Sequence, residues 1–381
     1  MKLIFVSNYL NHHQLPFCMA MIKQLGEGEF KFIATTPFNQ ARLNSGYADL
    51  NTAFDWVIRS YEDDGQMEEA RLFVREADVA LLLPECTEFS DIRARERKLT
   101  FWTSERILKK GYWWRFTPPK ILRTYSWFLK YKHKPFYILC CSAFAAYDFV
   151  LSGFPEGRYF KWSYFTEIPP SRPVKTQRVY PRILWVGRMI PWKNPSDAVE
   201  AAALLAAKGL RFHLDLVGDG PEREKVSALV AEKRLEAFVE LHGSLSNNEV
   251  RKMMEDADIF VASSDRNEGW GAVINEALSS SCAVVASEAM GATRFLIEDC
   301  VNGVIYPCGD IAELAKKLEL LITDVDRRTE LQIGAYKSMA EYWNADEAAR
   351  RLISLSAALA SGEECPYLSG PCSPAPLLRQ A

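Results

Sequence analysis

Short apolar strands alternate with helical segments along most of this 381-residue sequence, and that alternation restricts the chain to one class of fold. Residues 258–278 are representative. The stretch begins with an apolar run, 258–264, whose β-branched and aromatic residues are typical of a strand buried on both faces. A turn with glycines at 269 and 271 follows, and apolar residues then recur at helical spacing. Strands that alternate with helices form a parallel sheet covered by helices on both faces.

The alternation is interrupted once, by a proline-rich segment between residues 166 and 181. Two domains are expected on length alone, because 381 residues exceed what one core normally organises. We therefore predict an α/β protein with two doubly wound, Rossmann-like domains that face each other across a cleft. The predicted parts are a first domain at 1–168, a linker at 169–181, a second domain at 182–343, a helix at 344–360 that crosses back to the first domain, and a disordered tail at 361–381.

Composition narrows the protein class further. With 48% hydrophobic and 25% charged residues, the chain is typical of a soluble globular protein, and a net charge of −3 argues against a general nucleic-acid binder. Nine scattered cysteines, an odd number, fit a reducing compartment. The apolar start becomes polar at Ser7, too early for a signal peptide, and no apolar run is long enough to span a bilayer. We expect a cytoplasmic protein.

The turn at 269–271 is a candidate anion site. It places a helix N-terminus at the carboxyl edge of the predicted sheet, where free N–H groups attract negative charge. Glycines at 269 and 271 let the backbone approach a ligand closely. Two acids, Glu268 and Glu276, lie on either side of the turn. From this stretch alone, the acids are equally compatible with the ordinary preference of a surface helix for negative charge in its first turn.

A second candidate anion site follows another strand of the same predicted sheet. The loop from Gly187 to Asn194 carries Arg188 and Lys193, and each cation can contribute about 1.5–3 kcal/mol through a charge-assisted hydrogen bond to phosphate. The loop alone is compatible with two ordinary surface charges. Two loops that suit anions on one sheet edge favour phosphate binding instead.

Two further loops end strands of this sheet. Gly218-Asp219-Gly220 is not a dinucleotide fingerprint, because Arg223 occupies the position of the third glycine, and a tight turn is an adequate explanation. His242 and Gly243 end the next strand and could line a base pocket.

Two patterns bear on metal binding. Asp256-Ala257-Asp258 resembles an acidic metal-binding triplet, but it lies between a helix end and a strand. His12 and His13 have no acidic or cysteine cluster beside them in the sequence. We therefore predict that the protein has no metal site.

The second half resembles the donor domain of retaining glycosyltransferases of GT-B architecture, specifically family 4, the glycosyl transferases group 1. Seven residues separate Glu268 from Glu276, as the family signature requires. The first half agrees mainly in layout, including Cys141-Ser142. The matching elements of the second half run in order from Ile183 to about Leu320: Val186-Gly187-Arg188 with Lys193, Leu216–Pro221, Leu241-His242-Gly243, Asp256–Val261, Glu268-Gly269-Trp270-Gly271, Asn275-Glu276-Ala277, Val284–Ser287, Gly291-Ala292 and Asn302-Gly303.

The resemblance implies a role for each matching residue. Arg188 and Lys193 would hold the diphosphate of a UDP- or GDP-linked sugar. The family needs no metal, because these cations would neutralise the departing diphosphate. Glu276 would bind the ribose hydroxyls. Glu268 would contact the donor sugar and stabilise positive charge at its anomeric carbon. The remaining expected substrate-binding positions are Gly187, Gly218, His242, Gly243 and the backbone N–H groups of Gly269, Trp270 and Gly271.

Two features depart from the family pattern. The family commonly has a glycine-rich loop after the first strand; here 7–14 is polar, and Asn11 and His12 are its expected substrate-binding residues. Many members also carry a histidine after the strand that corresponds to 99–103, where this sequence has Ser104-Glu105-Arg106. Glu105 is a candidate to replace that histidine, and an ion pair with Arg106 or a helix cap is the alternative.

The resemblance implies a retaining, metal-independent hexosyltransferase that uses a nucleotide-diphosphate sugar as co-substrate and needs no other cofactor. Its acceptor would be a glycan or a lipid-linked sugar in polysaccharide or glycolipid biosynthesis. A GT-B nucleotide-sugar epimerase and a non-catalytic sugar-nucleotide sensor are the alternatives.

A basic and aromatic segment at 109–134 stands apart, since no acid occurs between Arg106 and Tyr147. Basic residues near anionic lipid contribute about 1 kcal/mol each, and Trp and Tyr favour the headgroup level. One interpretation is an anionic membrane surface beside the acceptor, with the protein peripheral on the cytoplasmic face. The other is a helical hairpin buried against the first domain. Single-stranded nucleic acid suits the same chemistry, but the predicted donor site argues against it.

Overall fold

The computed structural model describes residues 1–40, 43 and 48–379. These residues form two compact units, each with its own parallel sheet, so the predicted α/β class is confirmed. Unit 1 comprises Met1–Thr166 and Trp343–Arg379, and unit 2 comprises Glu167–Tyr342. The segment 169–181, which we expected to be a linker, is part of unit 2.

Unit 1 is built on a seven-stranded parallel sheet with the order β3-β2-β1-β4-β5-β6-β7. The strand order reverses between β1 and β4, and ligands of such sheets bind outside the carboxyl ends of the strands at that point. The strands are β1 (Leu3–Ser7), β2 (Phe30–Ala34), β3 (Val57–Arg59), β4 (Val79–Leu82), β5 (Thr100–Ser104), β6 (Phe136–Cys140) and β7 (Tyr159–Lys161).

Helices cover both faces of this sheet, as its fully buried strands require. The described helices before residue 166 are α1 (Leu15–Leu25), α2 (Asp64–Glu76), α3 (Thr87–Glu96), α4 (Pro118–Trp127) and α5 (Ala145–Leu151). Single turns of 3-10 helix, Tyr112–Phe116 and Leu129–Tyr131, flank α4. The basic aromatic segment is therefore one helix between two short turns, and not a hairpin of two helices.

Unit 2 has a six-stranded parallel sheet with the order β10-β9-β8-β11-β12-β13. Side chains such as Trp185, Leu216 and Val261 form its core. The strands are β8 (Arg182–Val186), β9 (His213–Val217), β10 (Val239–Gly243), β11 (Ile259–Ala262), β12 (Ala283–Ser287) and β13 (Val304–Tyr306). The helices are α6 (Pro195–Ala207), α7 (Arg223–Glu232), α8 (Asn247–Asp256), α9 (Val273–Ser279), α10 (Thr293–Leu296), α11 (Ile311–Thr323) and α12 (Val325–Glu341).

The last helix, α13 (Ala345–Ala360), packs on α1 of unit 1, where Lys23 pairs with Asp346 at 3.1 Å. We expected the residues after α13 to be disordered, but the described part of this tail packs against the rest of unit 1. Lys161 at the edge strand β7 donates its N–H to the carbonyl of Ser373 at 2.8 Å, and the Cys372 side chain is fully buried. Pairing with an edge strand and burial of a cysteine stabilise this tail, and its composition alone shows neither.

Within the described part of the chain, no helix combines the length and the apolarity that a membrane-spanning segment requires.

Candidate functional site

Three predicted site loops of unit 2 lie side by side at the carboxyl edge of its sheet. Gly187 donates its N–H to the carbonyl of Val217 at 3.0 Å, and Gly218 donates to the carbonyl of Gly243 at 2.8 Å. The loops after β8, β9 and β10 are thus joined by backbone hydrogen bonds. The structure brings Gly187, Gly218 and Gly243 together, as parts of this backbone framework.

Close backbone packing accounts for the glycines of the Gly218-Asp219-Gly220 turn. Gly218 has φ +133°, and a Cβ there would overlap the carbonyl oxygen of Gly187. Gly220 has φ +150°, and a Cβ there would lie 2.5 Å from the carbonyl oxygen of Met189. Any side chain at 218 would push the two loops apart, so this turn supports the 187–194 loop.

Lys193 and Glu268 form an ion pair, although they lie on loops that follow different strands. Both side chains are mostly buried, at 17% and 16% exposure. Arg188, on the same loop as Lys193, is exposed, and no ion pair involving its guanidinium occurs among the described residues. One loop therefore presents a neutralised cation and an available one.

The buried Ser263, directly after β11, fixes the position of the Lys193 loop. Its hydroxyl accepts a hydrogen bond from the Trp185 indole at 2.9 Å and donates to the carbonyl of Lys193 at 2.8 Å. The Asn194 side chain donates to the Ser263 carbonyl at 3.1 Å. These bonds hold the lysine against the 265–271 loop without the help of a ligand. Ser263 could not be predicted as a site residue, because a lone serine after a strand carries no distinctive signal.

The turn at 269–271 is sterically restricted. Gly271 has φ +92°, and a Cβ there would lie 2.5 Å from Cε of Met290. Trp270 is fully buried, and its indole donates to Oδ1 of Asn275 at 2.8 Å. Any contact of Trp270 with a ligand must therefore use its backbone, since its side chain is part of the core.

Glu276 lies in the first turn of α9, with its side chain partly buried. Burial raises the pKa of this carboxyl to about 7, and Arg251 opposes the shift. A carboxyl with such a pKa is partly protonated at neutral pH. It can then both donate and accept hydrogen bonds, which suits a pair of hydroxyl groups.

His242 contacts a buried carboxylate. Its Nε2 lies 2.6 Å from Oδ1 of Asp215, which also receives both arms of the Arg182 guanidinium. Burial alone would raise the pKa of Asp215, but hydrogen bonds from Arg182, His213 and His242 hold it well below its usual range. The contact occupies one ring nitrogen of His242, which the sequence analysis assigned to a base pocket.

The same carboxylate belongs to a group with metal-binding side chains. Ligand atoms of His213, Asp215 and Glu240 lie within 4.8 Å of one another. Arg182 already neutralises Asp215. A cation at this place would have to displace the guanidinium, so the group is better explained as an ion-pair network around the buried Asp215 carboxylate.

Unit 1 contains a cavity of about 670 Å³ at the carboxyl ends of β1, β4 and β5, where the strand order reverses. Of the residues predicted after β1, Asn11 lines it, and His13 lines it in place of His12. The His13 ring stacks on Tyr164 at a centroid distance of 5.8 Å, and the His12 ring lies 3.8 Å from that of His13.

Glu105 also lines this cavity, and its partners differ from those expected. One oxygen accepts a hydrogen bond from the Tyr164 hydroxyl at 2.8 Å, and the other pairs with Lys109 at 2.6 Å. The alternative ion pair with Arg106 was wrong, because Arg106 pairs with the buried Asp148 at 2.9 Å. A deeply buried guanidinium needs a buried carboxylate, and Asp148 provides one.

The helix α4 has two different faces. The face with residues 120, 123 and 127 lines the cavity, and the opposite face, with 121, 122 and 125, is exposed. Helical periodicity separates the two sets, since positions three and four apart share a face. Phe128 and Tyr131 beyond the helix pack on Trp102, so the end of the segment belongs to the core. The sequence analysis noted the cations of this segment but did not separate the two faces, although the spacing allowed it.

The family match lies within unit 2. The sequence model of the family described as "Glycosyl transferases group 1" matches residues 171–338. Among curated relatives, the chain is similar to the alpha-D-kanosaminyltransferase of Streptomyces kanamyceticus, with 31% identity over 39% of this chain and 38% of that protein. It is also similar to the amylovoran biosynthesis glycosyltransferase AmsK of Erwinia amylovora, with 32% identity over 35% of this chain and 34% of that protein. The chain thus spans well under two thirds of these relatives.

A solved structure shows the likeness over both units. The crystal structure of Anabaena Alr3699/HepE in complex with UDP matches with a TM-score of 0.69 over 95% of this chain and 100% of that chain. The identity is 16%, so this match concerns the fold. Residues 171–338 therefore match the sequence model of the glycosyl transferases group 1 family, and the chain has the two-sheet α/β fold of GT-B glycosyltransferases.

Proposed function

We propose that the protein is a retaining glycosyltransferase. It moves a sugar from a nucleotide-diphosphate sugar to a glycan or lipid-linked acceptor in polysaccharide or glycolipid biosynthesis. The observation that carries the proposal is the Lys193–Glu268 ion pair at the carboxyl edge of the unit 2 sheet, with Arg188 available on the same loop. The family model matches this unit, and one of the relatives named above is an amylovoran biosynthesis glycosyltransferase. A structure with the same fold is described as a complex with UDP.

The ion pair suggests how donor binding prepares the site. A diphosphate carries more negative charge than one carboxylate and competes for the Lys193 ammonium. The Glu268 carboxylate is then released towards the sugar, where it stabilises the positive charge that develops at the anomeric carbon. Arg188 supplies a second cation to the diphosphate. Glu276 binds the ribose hydroxyls through its partly protonated carboxyl.

In the transfer step, the bond between the anomeric carbon and the diphosphate oxygen breaks. The acceptor oxygen forms its bond to the same face of that carbon, and the acceptor proton passes to the departing diphosphate. Two cations balance the charge of the leaving group, so the reaction is proposed to need neither a metal nor another cofactor. Activity that persists in excess EDTA is the expected result, and complete loss would contradict this part of the proposal.

A thermal-shift screen with UDP- and GDP-linked sugars tests the donor assignment. A ligand at 100 times its dissociation constant stabilises a protein by about 2.7 kcal/mol. We expect one nucleotide series to stabilise the wild type and to stabilise Lys193→Ala much less. Lys208→Ala is the matched control, because Lys208 is an exposed lysine of the same unit. If no nucleotide sugar stabilises the wild type, the proposal fails. Donor conversion to an isomeric nucleotide sugar without any acceptor would identify an epimerase instead.

The exposed face of the basic aromatic segment supports a finer proposal, that unit 1 contacts an anionic membrane surface on the cytoplasmic face. Five large apolar side chains there are more than half exposed, with Leu122 at 70%. They are Trp113, Phe116, Ile121, Leu122 and Tyr125. The segment that carries these side chains is rich in Lys and Arg and has no acid, a combination that suits the headgroup level of an anionic bilayer.

Flotation with vesicles that contain phosphatidylglycerol tests the membrane proposal. Binding is expected at low salt and should weaken at high salt, because the attraction of exposed charges is screened. Replacing Phe116 and Leu122 by serine should reduce binding strongly. Replacing Leu72 by serine is the control, since Leu72 is an exposed leucine elsewhere in unit 1. A wild type that ignores these vesicles at low salt would contradict the proposal.

A further inference from the structure

The cavity of unit 1 has more positive charge than its own acids balance. Two of its charged pairs are internally neutral, because Glu105 pairs with Lys109 and Arg106 pairs with Asp148. The remaining charged lining residues are three cations and one acid, Glu85. The cations are Lys110, Lys120 and Arg123. An excess of cations around a concave space favours an anionic occupant.

Lys120 occupies an unfavourable place for a cation. It lies in the first turn of α4, at the positive end of the helix, and no acid occurs in that turn. Burial and the nearby Arg123 together lower the pKa of Lys120 to about 8, and Asp148 opposes the shift. Among the described residues, no hydrogen bond or ion pair holds its ammonium. A lysine that is costly to charge and has no partner in the protein is one that a bound anion would stabilise.

The neighbouring cations are held over aromatic rings. The Lys110 ammonium lies 5.0 Å from the ring centroid of Trp114, and the Arg123 guanidinium lies 3.8 Å from that of Trp127. Such contacts fix the direction of a long side chain without neutralising its charge. Both tryptophans also line the cavity. Their rings offer apolar surface to a sugar ring beside the anion.

We infer that this cavity binds an acceptor whose sugar carries a phosphate or diphosphate group, and that Lys120, Arg123 and Lys110 bind that group. The inference rests on the proposed glycosyltransferase function and specifies its acceptor. Two sources share this chemistry: a lipid-linked sugar phosphate and a soluble sugar phosphate. The exposed apolar face of α4 lies opposite its cavity face, and the membrane that this face is proposed to contact would hold the lipid-linked source.

Site-resolved lysine labelling tests the anion site directly, with inorganic pyrophosphate as the probe. The wild type is treated briefly with an amine-reactive reagent at pH 8, and mass spectrometry measures labelling of each lysine. Lys120 should label faster than the exposed Lys132 of the same segment, because a lower pKa leaves more free amine. Pyrophosphate should slow labelling of Lys120 at least fivefold and leave Lys132 unchanged. Equal labelling of Lys120 with and without pyrophosphate would overturn the inference.

The same digests report the donor site separately, through the labelling of Lys193. If a nucleotide sugar protects Lys193 but pyrophosphate does not protect Lys120, the acceptor inference is rejected and the proposed function stands. Failure of every nucleotide sugar to protect Lys193 would count against the proposed function itself.

Acceptor kinetics provide the second test. Lys120→Ala should lower kcat/KM at least tenfold for a phosphate-bearing acceptor. Lys120→Arg should retain most of the activity, and Lys132→Ala is the matched control. An equal loss with a neutral, phosphate-free glycoside would overturn the inference. Comparison of an alkyl-linked sugar diphosphate with a soluble sugar phosphate identifies the source, since a lipid carrier predicts that only the alkyl-linked compound is used efficiently.

Discussion

The carboxyl edge of the unit 2 sheet is the proposed donor site and is called the donor edge below. It differs from the cavity of unit 1 in how its charges are balanced. At the donor edge, Lys193 and Glu268 neutralise each other, and hydrogen bonds from Ser263 hold the lysine loop in place. In the cavity, the Lys120 ammonium has no hydrogen bond or ion pair among the described residues, and the cation Arg123 lies near it. The first arrangement is rigid and must exchange a partner when a ligand binds. The second is prepared to accept an anion without displacing anything.

Among the substitutions predicted here, Glu268→Gln should have the largest effect on activity. An amide cannot stabilise positive charge at the anomeric carbon, so turnover should fall by about a hundredfold or more. The donor KM should change much less, because the carboxylate acts mainly in the transition state. Steady-state kinetics measure both quantities, with Glu288→Gln as the control, since Glu288 is a partly exposed glutamate of the same unit. A fall of less than tenfold would remove Glu268 from the mechanism.

Glu276→Gln should change how stability depends on pH. Because the folded pKa is raised to about 7, the contribution of Glu276 to stability is fully present below the unfolded pKa and is lost as the pH rises through about 7. The loss is about 3 kcal/mol at most. The variant should therefore unfold at a higher temperature than the wild type at pH 8, and the gap should close at pH 5. An identical difference at both pH values would show that Glu276 does not titrate in this range.

Lys193→Ala should weaken use of the donor by about tenfold to a hundredfold, since one charged hydrogen bond to phosphate contributes about 1.5–3 kcal/mol. The variant should remain folded although it leaves the mostly buried Glu268 carboxylate without its partner, because Lys193 lies outside the hydrophobic core cluster of unit 2. Lys208→Ala should behave as the wild type in the same assay of kcat/KM. Unchanged donor kinetics in Lys193→Ala would mean that the lysine only neutralises Glu268.

Gly218→Ala should destabilise unit 2 by about 1–3 kcal/mol, as overpacking does, because its methyl group would meet the backbone of Gly187. Gly209→Ala is the matched control: Gly209 also has a positive φ, +77°, but no atom lies within 4 Å of its added Cβ. Denaturant unfolding measures both variants. Equal destabilisation would attribute the effect to backbone strain and leave the packing of the two loops without support.

The same two regions show how far sequence could predict this protein. In unit 2, β11 lies within the apolar run 258–264 from which a strand was predicted, because an uninterrupted apolar run is typical of a buried strand. Short elements were missed. The strands β3 and β13 have only three residues each, too few to show a period.

Site residues could be predicted where they lie close together in the sequence. Glu268 and Glu276 could be identified because seven residues of one strand-turn-helix unit separate them, so their spacing is visible in the chain. The cavity of unit 1 is assembled from loops and a helix that are distant in sequence, and no spacing relates Asn11 to Lys120 or Tyr164. Which acid a given cation pairs with also depends on the fold, as the ion pair between Arg106 and Asp148 shows.

The central claim is that cations of this chain, without a metal, support transfer with retained configuration. Real-time NMR of donor hydrolysis in excess EDTA tests it directly and needs no acceptor. The donor is the α-linked nucleotide sugar that gives the largest thermal shift. The account predicts that the free sugar appears first as the α anomer, and that the β anomer follows only at the rate of mutarotation. Initial release of the β anomer, or no release until a divalent metal is added, would contradict the account.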